Sequence, residues 1–225
     1  MNTQIQDFIA LSDIISLMNM SCGFISIMIS ISHNFYLAAI FMILSLIFDS
    51  TDGWVARKSN RMDKYEFGKN IDSLSDIVSF GVAPAVFLYS FALFNATHIL
   101  IPTAIVSLFI IIYGVLRLTR YNVISNEVKG FIGFPIPGIA IIISAFYISG
   151  LFNIYIALVL AIIVSIAMIC NKPYDKFNNL YLLVLNCICI ICIILQIPLY
   201  IGFVNVAALI ILLTSLTYLF INLGR

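Results

Sequence analysis

The 225-residue chain is 63% hydrophobic and only 9% charged, too little polar surface to wrap a soluble globule of this size. Its formal net charge of +1 offers nucleic acid no electrostatic footing, so no nucleic-acid partner is expected. Apolar runs of about 20 residues, the length that crosses a bilayer as a helix, follow one another at 10–33, 35–56, 74–96, 98–119, 134–151, 153–171, 179–197 and 199–222. Runs such as ILIPTAIVSLFIIIYGVL, starting at Ile99, are apolar on every side, whereas a transmembrane β-barrel needs alternating segments of about ten residues. The sequence predicts an all-α integral membrane bundle of about eight transmembrane helices, a single polytopic domain over 1–225.

No Lys or Arg precedes the first run and no small-residue cleavage site follows it, so that run reads as a retained helix rather than a signal peptide. The basic residues fall after the second run (Arg57, Lys58, Arg61, Lys64, Lys69), the fourth (Arg117, Arg120, Lys129), the sixth (Lys172, Lys176) and the eighth (Arg225). With eight spans these positions share one side, which the positive-inside rule makes cytoplasmic, with both termini on that side. The acidic residues keep to the same division, so any chemistry is expected at the cytoplasmic face.

The second run ends in DSTDGWVARK, starting at Asp49. Asp49 and Asp52 are three residues apart and share a helix face; Asp72 and Asp76, four apart, open the third run. Two helices joined by a connection of about 15 residues are antiparallel neighbours, which brings the four carboxylates to one end of the bundle. Ionised Asp in a membrane helix costs about 3 kcal/mol each on insertion scales, so the cluster calls for a positive charge. Oxygen-only ligands without His or Cys suit Mg²⁺ or Mn²⁺, which keep open positions for substrate phosphates. Gly53 and Ala56 leave a surface free of long side chains, Arg57 offers a planar fork for phosphate oxygens, and Gly68 stands one turn before Asp72. Together these residues suit a nucleotide diphosphate held between two helices.

The stretch Asp49–Asp76 resembles the signature of the CDP-alcohol phosphotransferase family, D-x-x-D-G-x-x-A-R followed by G-x-x-x-D-x-x-x-D. Its linker is longer than usual, with ten residues between Arg57 and Gly68; the extra pair is expected in a turn around Met62, Asp63 and Lys64. The resemblance implies transfer of a phosphatidyl or archaetidyl group from a CDP-activated lipid to an alcohol, with release of CMP. Asp49, Asp52, Asp72 and Asp76 would hold two divalent cations, Mn²⁺ or Mg²⁺, and Asp76 would also be the general base. Gly53, Ala56, Arg57 and Gly68 would contact the CDP group, and the family implies a homodimer.

The run EFGKNIDSLSDIVSFGVAPA, from Glu66, is similar to the serine-using branch, the phosphatidylserine and archaetidylserine synthases. Ser73 and Ile77 stand where glycerol-phosphate-using members carry Pro and Lys, which argues against an acceptor bearing a phosphate. SDIISLMNMSCGF resembles the N-terminal pattern N-x-x-T-x-x-N, with Ser16 and Asn19 fitting and Asp13 replacing the first Asn. RLTRYN (Arg117 to Asn122) and GFPIPG (Gly133 to Gly138) resemble serine-branch segments. Arg117 and Arg120 are candidates for the serine carboxylate or the lipid phosphate, against the reading that they only set topology. The catalytic part is expected over about 10–140, with scaffold helices beyond it.

Cys187 and Cys189 are about 200° apart on one helix, so with Cys192 they do not converge on one point, and they read, with Cys22 and Cys170, as small hydrophobes. His33 and His98 are expected on the far side. Three rival readings are the same chemistry with inositol phosphate or glycerol phosphate, an aspartate-rich prenyltransferase, and a cation transporter. A transporter would place its ion near the midplane between internal repeats, a pattern absent from this sequence.

Overall fold

Helix α1 (Leu11–Ile31) and helix α2 (Phe35–Lys58) form a hairpin closed by a short turn in which His33 has φ 66°. The computed structural model describes residues 4–5, 8–58, 66–124, 131–174 and 180–224. Arg61, Lys64, Lys129, Lys176, Arg225 and the turn expected around Met62 and Asp63 lie outside those residues.

Helix α3 (Phe67–Asn95) begins as an amphipathic α-helix, widens into a π-helical turn over Ile77–Val82 and resumes as an α-helix at Ala83. Pro84 stands just past the widened turn and has no N–H to return to the preceding turn, a known cause of local departure from α-helical pairing. Then follow α4 (Leu100–Ile124), α5 (Pro137–Ile148), α6 (Ile154–Ile169), α7 (Leu180–Ile194) and α8 (Val206–Gly224). Three of the starts are capped by asparagine: Asn34 Oδ1 accepts the Leu37 N–H at 3.1 Å, the Asn153 side chain accepts the Tyr155 and Ile156 N–H groups, and Asn205 Oδ1 accepts that of Ala208 at 3.1 Å.

Among the described residues these eight helices match the eight predicted runs. Five are long and apolar enough to cross a membrane; α5, α6 and α7 are shorter, at 12, 16 and 15 residues. Helix α5, apolar on every side, is the centre of the bundle. It packs against α2, α3, α6 and α8 and buries Ile139, Ile142, Ile143 and Phe146, as expected of a helix with no polar face. Helix α7 lies at the periphery and buries only Cys189 and Ile193.

Two boundaries differ from the sequence reading. The third helix starts at Phe67, well before the apolar run, because its first turns are an amphipathic extension that carries Gly68 and Asp72. The eighth starts at Val206: residues 200–205, counted as membrane span, form a hairpin of β3 (Tyr200–Ile201) and β4 (Val204–Asn205). Pro198 lacks a backbone donor and Gly202 adopts φ 62°, so the chain turns where composition alone reads helix.

The helix ends that carry basic residues gather at one end of the bundle. There β1 (Phe131–Ile132) pairs with β2 (Pro173–Tyr174), Lys69 Nζ donates to the Asn122 carbonyl at 2.7 Å, and Lys172 Nζ donates to that of Leu223. At the opposite end Phe35, Phe87, Phe91, Tyr147 and Phe152 pack in mostly edge-to-face contacts, each worth about 1 kcal/mol beyond area burial. His33 and His98 lie at this second end, with His98 Nε2 2.7 Å from the Tyr155 hydroxyl. The five cysteines are free.

Candidate active site

Near the C-terminus of α2 and the N-terminus of α3, one carboxylate oxygen from each of Asp49, Asp52 and Asp72 lies within 4.8 Å of the other two. The i, i+3 spacing on α2 and the early start of α3 bring them together. Asp76, one turn deeper, meets Asp49 carboxyl to carboxyl. Asp52 and Asp76 are buried, Asp49 and Asp72 half-buried. Like charges this close in an apolar bundle repel strongly. The all-oxygen donor set and its spacing fit a hard divalent cation, which supplies the missing positive charge.

Helix α1 places donors against two of these carboxylates. Ser16 Oγ donates to Asp52 Oδ2 at 2.6 Å, and Asn19 Nδ2 donates to Asp76 Oδ1 at 3.1 Å. Asp13, where the family pattern has Asn, accepts the Ala10 N–H at 2.9 Å and the Ser12 hydroxyl at 3.5 Å. A carboxylate in the first turn of a helix satisfies otherwise orphaned backbone donors, which accounts for the substitution.

On the open side, Arg57 is exposed and folds back toward Gly53: a Cβ built at Gly53 would stand 3.3 Å from Arg57 Nη1. Ala56 and Gly68 are half-buried on the same two helix ends, so the four residues expected at a CDP group border the carboxylates. Arg117 is buried at 5% exposure. It acts electrostatically on Asp76 and Asp49, and its guanidinium lies 5.5 Å from the centre of the Tyr121 ring.

Arg120 departs from expectation. Its Nη1 donates to the Ile169 carbonyl at 2.9 Å, and its Nη2 to those of Ile132 and Met168 at 2.9 Å and Cys170 at 3.2 Å. The guanidinium therefore caps the C-terminus of α6, where a cation meets unpaired carbonyls and the negative end of the helix dipole. Arg117 and Arg120 were expected to face the same way; their long side chains diverge, one to the carboxylates and one to a neighbouring helix end. The position of Arg120 thus argues against a contact with serine or lipid phosphate.

Two contacts near the site were not apparent in the sequence pattern. Ser79 Oγ donates to the Asn19 carbonyl at 2.9 Å, and Asn122 Nδ2 donates to Ser73 Oγ at 2.7 Å. A serine inside an apolar run is a weak signal by itself, since such hydroxyls commonly bond to a backbone carbonyl. Ser50, next to Asp49 in the chain, lines a largely apolar cavity of about 380 Å³ between α2, α5, α7 and α8, together with Leu46, Ile141, Leu183, Ile190 and Ile211 among others.

A bundle of apolar helices with an oxygen-ligand cluster at one end, a buried arginine beside it and an apolar cavity between its helices has the architecture of an integral membrane enzyme acting on an amphiphile. Residues 9–171 match the family model for CDP-alcohol phosphatidyltransferase, and the chain belongs to that family. It is 45% identical over 178 residues to the archaetidylserine synthase of Methanothermobacter thermautotrophicus, covering 79% of this chain and 74% of the relative. It is 39% identical over 176 residues to a CDP-diacylglycerol–serine O-phosphatidyltransferase of Methanocaldococcus jannaschii, covering 78% of each. A Bacillus subtilis protein of the latter name is 36% identical over 134 residues, 59% of this chain and 73% of the relative.

Proposed function

We propose that the protein is an integral membrane transferase that moves a phosphatidyl or archaetidyl group from a CDP-activated lipid to the hydroxyl of L-serine, releasing CMP. The observation that carries this reading is the convergence of Asp49, Asp52 and Asp72 with Asp76 beside them, in a chain whose relatives are named as serine-using enzymes of this chemistry. The serine oxygen attacks the phosphorus attached to the lipid. The bond from that phosphorus to the bridging oxygen breaks, CMP leaves with the bond's electrons, and the hydroxyl proton passes to Asp76 as general base.

Asp49, Asp52, Asp72 and Asp76 are the residues that would hold two divalent cations, Mn²⁺ or Mg²⁺, which when bound neutralise charge on the diphosphate. Arg57 would bind phosphate oxygens, with Gly53, Ala56 and Gly68 giving the cytidine room. Arg117, buried beside the carboxylates, would meet the serine carboxylate or the lipid phosphate. The apolar cavity next to Ser50 suits a hydrocarbon chain of the donor. The clustering of basic helix ends supports a cytoplasmic active site and cytoplasmic termini.

The test is CMP release by the purified protein with Mn²⁺, from CDP-diacylglycerol and from CDP-archaeol, with L-serine, glycerol 3-phosphate or inositol 1-phosphate as acceptor. Release that depends on serine is the expected result, and the better donor identifies the lipid class. Release only with a phosphorylated acceptor would overturn the serine assignment.

A further inference from the structure

We infer that Asn19 is the positioning residue for Asp76, holding its carboxyl in the rotation that accepts the alcohol proton; this rests on Asp76 being the base, as proposed above. Asn19 is fully buried, at 0% exposure. Its amide donates to Asp76 Oδ1, which fixes rotation about the Cβ–Cγ bond and hence the direction in which the other oxygen presents its lone pairs.

Asn19 is itself held from α3. Its main-chain carbonyl accepts from Ser79 Oγ at 2.9 Å, and one turn further along α1 the two helices nearly touch: a Cβ built at Gly23 would stand 2.5 Å from Ser79 Cα. Ser79 lies in the π-helical turn that starts directly after Asp76. The widened turn, the glycine contact and the serine bond thus fix the Asn19 backbone against the same stretch of α3 that carries the carboxylate.

The other half of the amide indicates what Asn19 is for. Its Oδ1 is buried without a hydrogen-bond donor among the described residues. A half-satisfied buried amide costs stability relative to an apolar side chain of similar volume. Asn19 is therefore poorly explained by folding and well explained by its one directed bond to Asp76.

The experiment compares wild type, Asn19→Leu and Ser79→Ala for kcat, KM of L-serine and of the CDP-lipid, Mn²⁺ affinity by calorimetry, and thermal midpoint. At saturating Mn²⁺, Asn19→Leu is expected to lower kcat by about 10- to 100-fold, within the range of general-base contributions, with both KM values within twofold, a weaker Mn²⁺ affinity because Asp76 is also a cation ligand, and a thermal midpoint within a few degrees of wild type. Ser79→Ala is expected to lower kcat about three- to tenfold, with the same constancy elsewhere, because it removes only the anchor of the orienting group. A kcat within twofold of wild type in Asn19→Leu at saturating Mn²⁺ overturns the inference, as does a fall in kcat that extra Mn²⁺ restores or that tracks a lower thermal midpoint. If Asn19→Leu does not fold, Ser79→Ala decides by the same criteria. Absence of serine-dependent CMP release from wild type would instead overturn the proposed function.

Discussion

Arg120, near the end of α4, donates from Nη2 to the carbonyl oxygen of Met168 on α6 at 2.9 Å. Ile169, Cys170 and Ile132 supply the other acceptors, so one side chain ties α4, the C-terminus of α6 and β1 together. Gly133, next in the chain, has φ 79°, and a Cβ there would collide with the Met168 carbonyl oxygen. Arg120→Ala should therefore lower stability, by roughly 2–3 kcal/mol given charge-assisted bonds in a partly buried site, while the KM for serine stays within twofold. Thermal unfolding and serine titration of the same preparation check this. A raised serine KM at unchanged stability would place Arg120 on the substrate instead.

The carboxylates should separate by role. Asp76→Asn should reduce kcat by about 10²- to 10⁴-fold, as expected for loss of a general base, with CDP-lipid binding retained. Asp49→Asn and Asp72→Asn should weaken Mn²⁺ binding measured by calorimetry, since each removes a charged oxygen from the trio. Chelation should abolish CMP release and added Mn²⁺ should restore it. CMP release that survives complete chelation would remove divalent cations from the reading.

The carboxylates were legible in the sequence because helical spacing and the rarity of charge in a membrane chain are both local signals. Asp49, Asp52 and Asp72 needed only two helices and a short connection to meet. The partners of Arg120 were not legible: three of its four acceptors are backbone carbonyls some 50 positions later, and carbonyls carry no residue-type signature. Ser79 was hidden for a related reason, as one serine among many in apolar runs. The eight helices were visible as hydropathy, but their ends were not. An apolar window extends through residues 200–205 even though Pro198 and Gly202 mark a turn, and it misses the amphipathic first turns of α3. Asp13, read only as a departure from a pattern, acquired a physical reason when its backbone and hydroxyl partners came into view.

Helix α1 has no carboxylate in the trio, yet the structure makes the site depend on its close approach to α3. Gly23→Ala would put a methyl group about as close to Ser79 Cα as 2.5 Å, closer than nonbonded carbons tolerate. The expected outcome is a loss of roughly 1–3 kcal/mol as the helices separate, accompanied by a fall in kcat as Asn19 is drawn away from Asp76. Thermal midpoint and turnover measured together check it; a fully stable and fully active Gly23→Ala protein would show that the two helices do not meet this closely.

The hairpin at the opposite end tests the membrane reading in a region without chemistry. Ile201 is 75% and Phe203 73% exposed, with Leu199 and Tyr200 also exposed, a patch that water would penalise. Its backbone is well paired: β3 bonds to β4, the Val206 N–H donates to Leu199, and the Asn205 N–H donates to Ser149 on the loop after α5. An apolar turn with its backbone groups satisfied can enter the interfacial region of a bilayer at little cost. In a Trp54→Phe background, which removes the sole native tryptophan, Phe203→Trp should therefore fluoresce at short wavelength in bilayers and be quenched by brominated lipid chains but weakly by iodide. Strong iodide quenching with no effect of brominated lipid would put the hairpin in water and leave its hydrophobic face for another partner.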